Sequence, residues 1–201
     1  MVSWIKLNGL HGMIHTGALL ALLSAALFGA STPFAKFLLG SVDPWTMAGL
    51  LYLGAGLGLA MVHLSRAPLR SADVPWLALV ILTGGVLGPL FLMFGLSRTD
   101  AAATSLLLNL EGLATMTIAW VVFRESVDRR LLLGASAILA GAILLSWEGQ
   151  TSFQLGSLLI AGACLCWGID NNLTRKLSSA DPVQIAMIKG LVAGTINLLI
   201  A

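Results

Sequence analysis

The sequence predicts an all-α integral membrane protein, and two observations carry that prediction. Hydrophobic residues make up 58% of the 201 residues, and charged residues make up only 10%. Mean hydropathy is +0.94, and the charged fraction is far below the roughly 25% that is typical of a soluble domain. The formal net charge of +2 is small and spread over short loops, which argues against nucleic acid as a partner.

About seven apolar stretches are long enough to cross a hydrocarbon core about 30 Å thick as helices of roughly 20 residues. The predicted spans lie near residues 16–39, 44–63, 76–95, 101–123, 131–148, 155–176 and 183–201. Turn-forming and charged residues separate the spans, within 43–44, 65–73, 97–100, 124–130, 148–152 and 178–182. Residues 1–15 are predicted to form an interfacial lead-in rather than a cleaved signal peptide, because the first apolar stretch is long and has no clear cleavage site.

A spaced motif starts at Gly17 and again at Gly156. It consists of Gly-x-Leu-Leu, seven residues, an aromatic residue with Gly, six residues, a basic residue and then Asp-Pro, at Asp43 in the first copy and Asp181 in the second. Five predicted spans separate the two starts, so the second copy would be inverted in the bilayer relative to the first. The pattern therefore predicts one complete five-helix repeat over residues 16–148 and the first two helices of an inverted second repeat over residues 155–201.

Lysine and arginine are unevenly divided between the two sides of the predicted bundle. If the N-terminus is cytoplasmic, two of them lie in outer loops, Lys36 and Arg98, and Lys189 lies inside the last span. The other eight lie on the inner side, namely Lys6, Arg66, Arg70, Arg124, Arg129, Arg130, Arg175 and Lys176. This asymmetry predicts a multi-pass protein of the inner (plasma) membrane with a cytoplasmic N-terminus.

The chain resembles the EamA-type family of the drug/metabolite transporter superfamily, whose members are ten-helix carriers built from two five-helix repeats. The residues that carry the resemblance are the run Ala-Leu-Phe-Gly-Ala-Ser-Thr-Pro at 26–33, the fourth-span run 107–120 leading to Phe-Arg-Glu at 123–125, and the glycine-punctuated run 133–142. Residues 16–148 match one whole repeat, and 155–201 match the start of the next.

The resemblance implies a secondary transporter of small metabolites or drugs that works by alternating access between inverted repeats, without a cofactor. A complete second repeat would add three helices, so the chain is interpreted as truncated after the seventh helix. A non-transporting fragment or a membrane assembly module is the alternative. The expected partners are the lipid bilayer and a small-molecule substrate. Coupling to protons and self-association stay open.

Polar residues inside apolar spans are candidate functional residues, because a charge at the bilayer centre costs roughly 2.5–3.5 kcal/mol even on the mildest scale. Glu111 lies near the middle of the fourth span. Thr104 and Thr115 share its helical face, and Asn109 flanks it. We expect Glu111 to contact substrate or to carry a coupling proton; a hydrogen-bonded contact between helices is the alternative.

Asp170 and Lys189 form a second candidate pair. Each lies six residues from the predicted cytoplasmic end of its span, which places both roughly 9 Å deep. Their matching depths predict an ion pair between neighbouring helices, either purely structural or part of a cytoplasmic gate. Asn171 adds a polar group beside Asp170, and Trp167 is expected either to cap a substrate cavity or simply to pack between helices.

No enzyme, metal site or disulfide is predicted. The three histidines, His11, His15 and His63, lie at span ends without a nucleophile or a third ligand nearby. Cys164 and Cys166 point to different faces of one helix. Three Gly-x-x-x-Gly pairs, at 54 and 58, at 84 and 88, and at 190 and 194, predict close helix packing. Gly88-Pro89 predicts a kink in the third span.

Overall fold

The computed structural model describes the backbone over residues 3–62, 69–146, 155–177 and 181–201, and the side chains from residue 17 onward within these ranges up to 144 and over the last two. Every regular element in this part of the chain is helical, so the all-α prediction is confirmed. The predicted loop residues at 65–68, 148–152 and 178–180, the side chains of the three histidines, and the side chains of the lead-in lie outside the described residues.

Nine α-helices occur in the described part of the chain. They are α1 Ser3–Leu38, α2 Pro44–Val62, α3 Val74–Val80, α4 Gly88–Arg98, α5 Ala101–Leu107, α6 Leu110–Val121, α7 Arg129–Ser146, α8 Leu155–Thr174 and α9 Pro182–Ile200. A π-helical segment, Ile81–Leu87, joins α3 to α4, and single 3₁₀ turns occupy Ser71–Asp73 and Arg175–Leu177.

Five segments of the described chain are long and apolar enough to cross a membrane. These are Gly17–Leu38, Pro44–Val62, Ser71–Arg98, Ala101–Val121 and Pro182–Ile200, so the protein is a multi-pass membrane protein. Helices α7 and α8 have 18 and 20 residues and are not among these five segments. In α8, Asp170 and the two asparagines that follow it lower the hydropathy. Seven spans therefore remain a prediction.

Aspartate side chains start three of the helices. Asp43 accepts hydrogen bonds from the backbone N–H groups of Trp45 and Thr46 at the start of α2, and Asp100 accepts one from Ala103 at the start of α5. Asp181 accepts one from Val183 at the start of α9. These caps satisfy N–H groups that have no partner inside the helix, which explains the Asp-Pro pair at the same place in both copies of the motif.

The third span contains a π bulge where a proline kink was predicted. The N–H of Gly88 donates to the carbonyl of Thr83, five residues earlier. In that register the carbonyl of Gly84 faces Pro89, which has no N–H to donate. The bulge therefore leaves a backbone acceptor in the middle of the span, and other helices must supply its partner.

The fourth span is also irregular, since α5 and α6 meet in a tight turn at Leu108 and Asn109. The N–H of Glu111 donates to Leu108 and the N–H of Asn109 donates to Leu106, each three residues back. Such 3₁₀-type bonds leave the Leu107 carbonyl without its usual helical partner. The thiol of Cys164 on α8 lies 3.7 Å from that carbonyl and acts as a weak donor to it.

Helix packing places α8 and α9 at the centre of the bundle. The carboxylate of Asp170 and the ring of Trp167 lie directly over Gly84 and Gly88, as the glycine spacing predicts. Gly190 and Gly194 of α9 lie against the backbone of α2. The prediction for Gly54 and Gly58 is wrong for contacts within the described chain, because a Cβ at either position would meet nothing within 4 Å. The close contacts of α2 come from Gly49 and Gly56 instead.

Candidate functional site

The free carbonyl of Gly84 is satisfied by two side chains from other helices. The hydroxyl of Tyr52 on α2 donates to it at 2.7 Å, and the indole N–H of Trp167 on α8 donates to it at 3.0 Å. The indole nitrogen also lies 3.3 Å from the Tyr52 oxygen. The π bulge is thus tied to α2 and α8 at the same atom.

Asp170 and Lys189 form the ion pair that the sequence predicts. A carboxylate oxygen of Asp170 accepts a hydrogen bond from the Lys189 ammonium at 2.6 Å, and their side chains are 4% and 21% exposed, respectively. The second carboxylate oxygen accepts from the hydroxyl of Thr174 at 3.1 Å. A Cβ at Gly84 would overlap the carboxylate, so only glycine leaves room for it there. The pair therefore links α8, α9 and the π segment.

A cavity of about 730 Å³ lies beside this pair. Its walls are mainly apolar and come from α1, α2, α4, α8 and α9. Lys189, Tyr52 and Trp167 line it, together with Ser24, Ser31 and Thr32 of α1. Asp170 is absent from the lining, so Lys189 is the member of the ion pair that contributes to the cavity wall.

Glu111 lies in a different place from Lys189. Its carboxylate accepts a hydrogen bond at 2.9 Å from the side-chain amide of Asn171, which also lies 3.2 Å from the Thr115 hydroxyl. These three side chains line a second cavity of about 440 Å³, with Arg175 and Glu125 at the same walls. Glu111 lies in the first turn of α6, where the helix dipole favours its negative charge.

Polar contacts connect α8 to its neighbours beside this second cavity. Arg175 pairs with Glu125 at 2.7 Å, with both side chains about half exposed, and also donates to the side-chain Oδ1 of Asn172 at 3.1 Å. The amide of Asn172, which is 1% exposed, donates to the backbone carbonyls of Thr115 and Gly168. These contacts fasten the C-terminal half of α8 to α6.

The structure brings most of the predicted site residues to α8 but divides them between two cavities. Trp167 and Lys189 line the first, while Glu111, Thr115 and Asn171 line the second. Asn109 joins neither: its amide donates to the Leu106 carbonyl, and it lines a separate cavity of about 550 Å³ between α5 and α7. Thr104 is buried and donates to Asp100, so it takes no part in the Glu111 cluster. The functional roles of these residues stay predictions.

Sequence reasoning missed three contributors to these sites. In the sequence, Tyr52 is simply an aromatic residue in an apolar span. The carbonyl of Gly84 becomes an acceptor for other helices only because of the bulge before Pro89. The pairing of Arg175 with Glu125 joins residues 50 positions apart. The only local signal was Gly88-Pro89, which predicted an irregular third span but not its partners.

Known proteins similar to this chain are membrane transporters by name. Residues 15–147 match the EamA-like transporter family. An uncharacterized transporter from Methanothermobacter thermautotrophicus is 30% identical over 207 residues, which cover 92% of this chain and 60% of that protein. The uncharacterized transporter YyaM from Bacillus subtilis is 24% identical over 201 residues, which cover 94% of this chain and 65% of that protein. The chain thus spans about three fifths of the length of these relatives, and no solved structure matches it significantly.

Proposed function

Because this chain belongs to the EamA-like transporter family, we propose that it forms the substrate pathway of a secondary transporter for small metabolites or drugs. The observation that carries the proposal is the cavity of about 730 Å³ lined by α1, α2, α4, α8 and α9. Its volume is in the range that binds small organic molecules. Helices from both predicted repeats contribute to its walls, as expected for a site between two moving halves.

Contacts between α2 and α9 support an inverted repeat. Gly56 on α2 lies against Leu191 on α9, and Gly194 on α9 lies against Leu53 on α2. The offset of 138 residues between the two Asp-Pro motifs makes Leu53 equivalent to Leu191 and Gly56 equivalent to Gly194. Each contact is therefore the image of the other when the two copies are exchanged. That reciprocity is the pattern of a two-fold axis in the membrane plane.

Alternating access would then consist of a rocking motion at this crossing, with the cavity open to one side at a time. The π segment between α3 and α4 is the part of the first repeat best suited to bend, because its backbone bonds are already interrupted. Its carbonyl is held by Tyr52 from the first repeat and Trp167 from the second. A rocking motion would exchange the Trp167 bond while keeping the Tyr52 bond.

We assign proton coupling to Glu111. Its carboxylate lines a cavity apart from the apolar one, and Asn171 holds it on the helix that also carries Trp167. Helix α8 therefore lies between a titratable group on one side and the substrate cavity on the other. A proton taken up by Glu111 would weaken the ionic hydrogen bond to Asn171 and free that face of α8 to move.

The charge asymmetry supports a cytoplasmic N-terminus and an inner-membrane location, as the sequence predicts.

A transport function also fits the family better than catalysis does. Within the described residues, no group of three or more His, Cys, Asp or Glu side chains lies close enough to hold a metal ion.

A membrane assembly module is the second candidate function. It is favoured by α1, whose leucine and phenylalanine side chains stay largely exposed, as at Leu19 and Phe37 with 67% and 80%. Such a face can contact lipid or further helices. Measuring solute movement by this chain and by the longer Methanothermobacter relative, each reconstituted in proteoliposomes, separates the two functions. A transporter moves solute without added helices, whereas an assembly module does not.

The transport proposal is tested by filling the cavity. Ala55 lines the cavity, whereas Ala60 on the same helix is exposed and does not line it. We expect Ala55→Trp to abolish counterflow of a panel of labelled amino acids, carboxylates and drug-like amines in proteoliposomes, while Ala60→Trp keeps it. Equal counterflow in both variants would place the substrate elsewhere, and no solute movement by the chain in any arm would favour the assembly module.

A further inference from the structure

We propose that the cavity beside Lys189 binds a small organic anion, a carboxylate on an apolar body, and that the Lys189 ammonium holds the carboxylate. This inference deepens the proposed transport function and rests on it. The cavity walls supply the apolar contacts, and Lys189 is the one charged side chain that the described residues contribute to its lining.

Of the two members of the ion pair, the basic one contributes to the cavity wall. Lys189 lines the cavity and keeps about a fifth of its side chain exposed, whereas Asp170 does not line it and is only 4% exposed. The carboxylate of Asp170 packs against Gly84 and accepts a hydrogen bond from the hydroxyl of Thr174. A ligand in the cavity would therefore meet Lys189 and not its counter-ion.

The ammonium has donors to spare. A lysine ammonium carries three N–H groups, and in the described part of the chain Asp170 is its one hydrogen-bond partner. The two aromatic donors of the lining are already used, because Tyr52 and Trp167 both donate to the carbonyl of Gly84. An anionic ligand would thus find its ionic hydrogen bond at Lys189.

The charge count favours a monoanion over other ligands. A cationic ligand would be repelled by Lys189, because Asp170 does not line the cavity. A phosphate with nearly two charges would need more than one partly shared cation in so apolar a space. A carboxylate needs one ionic partner and can share the ammonium with Asp170. Its apolar body would lie against α1 and α4, where Leu23, Leu27 and Leu92 line the wall.

Three probes with one apolar body and different charges test this inference. They are 3-phenylpropionate, 3-phenylpropan-1-ol and 3-phenylpropylamine, measured by equilibrium binding to the chain in lipid nanodiscs at neutral pH. We expect the acid to bind at least about tenfold more tightly than the alcohol or the amine, which is the gain of one ionic hydrogen bond in a poorly hydrated site.

The variant to test carries Asp170→Asn and Lys189→Gln together, because that exchange keeps a hydrogen-bonded neutral pair and strands no charge. It should lower the affinity for the acid about tenfold and leave the alcohol unchanged. Lys176→Gln removes a positive charge that stacks on Trp76 outside the cavity, so it should keep the preference for the acid.

Equal or tighter binding of the amine or the alcohol, a preference that survives in the double variant, or no binding of any probe would overturn the inference. The proposed transport function has its own test. If Ala55→Trp still blocks counterflow while the acid shows no preference, the cavity carries a different class of substrate and the chain remains a transporter.

Discussion

The carboxylate of Asp170 lies 2.6 Å from the ammonium of Lys189 and rests on the one residue of the π segment, Gly84, that leaves room for it. The ion pair and the π bulge therefore both depend on Gly84. The bulge exposes a carbonyl on one face of Gly84, where Tyr52 and Trp167 donate to it. The missing side chain on the other face admits a charged group. An apolar span thus accommodates both an unpaired backbone acceptor and a buried carboxylate.

Removing one member of the ion pair should destabilise the protein more than removing both. Asp170→Ala or Lys189→Ala leaves the remaining charge in a poorly hydrated site, at a cost of roughly 3–5 kcal/mol, whereas replacing both can be nearly neutral. The free energies of unfolding of the two single variants and the double variant, measured in mixed micelles, give the coupling between them. Strictly additive losses would show that the pair contributes no coupling despite its short distance.

Adding a methyl group at Gly84 should separate the effect of packing on stability from the effect of helix propensity. Gly84→Ala puts a Cβ into the space of the Asp170 carboxylate, and overpacking of this kind costs about 1–3 kcal/mol. Gly54→Ala is the matched control, because a Cβ there meets nothing within 4 Å and alanine is favoured over glycine in a helix by about 1 kcal/mol. The first variant should lower the melting temperature and the second should keep or raise it. A stable Gly84→Ala protein would mean that the carboxylate moves aside at little cost.

Each of the two donors to the Gly84 carbonyl should compensate for the loss of the other. Tyr52→Phe leaves the Trp167 donor in place, and Trp167→Phe leaves the Tyr52 donor in place. The double variant strands a buried carbonyl, which costs about 1–3 kcal/mol. Its loss of unfolding free energy should therefore exceed the sum of the two single losses. That coupling has the opposite sign to the coupling of Asp170 with Lys189, and a simple sum would show that the bulge carbonyl finds another donor.

The bounds of the second and the last helix could be predicted from the sequence because they depend on local patterns. The second span was predicted at 44–63 and the helix is Pro44–Val62; the last was predicted at 183–201 and the helix is Pro182–Ile200. The aspartate that starts each of these helices also caps it, which fixes the boundary chemically. The ion pair followed from equal depths on adjacent antiparallel helices.

The division into two cavities could not be predicted, because it depends on which face of α8 meets which helix. Trp167 and Asn171 are four residues apart, yet they face different cavities. The partner of Glu111 lies 60 residues away, and the donors to Gly84 lie 32 and 83 residues away. No periodicity in one span specifies such partners. The π bulge adds to this, since it rotates the residues before it relative to those after it.

Membrane topology is open to a direct test. The uneven division of lysine and arginine predicts that a reporter fused after Arg130, at the start of α7, is cytoplasmic, and that one fused after Gln150 is periplasmic. Alkaline phosphatase and green fluorescent protein fusions at both sites give complementary signals. The reverse pattern would invert every inner and outer assignment made above, but it would leave the contacts between helices unchanged.

Glu111→Gln should separate a coupling role from a structural one. Glutamine keeps the size of the side chain and can still accept from the Asn171 amide, so the contact between α6 and α8 should survive and the free energy of unfolding should change by less than about 1 kcal/mol. The substitution removes the titrating carboxyl, so a proton gradient should no longer drive uptake, whereas counterflow, which needs no net proton movement, should continue. Glu125→Gln is the control: it removes another carboxylate from the same cavity, one whose surface pair with Arg175 is about half exposed and contributes little, so gradient-driven uptake should persist. If Glu111→Gln leaves the gradient dependence intact, the carboxylate only joins two helices, and the coupling proton is carried elsewhere.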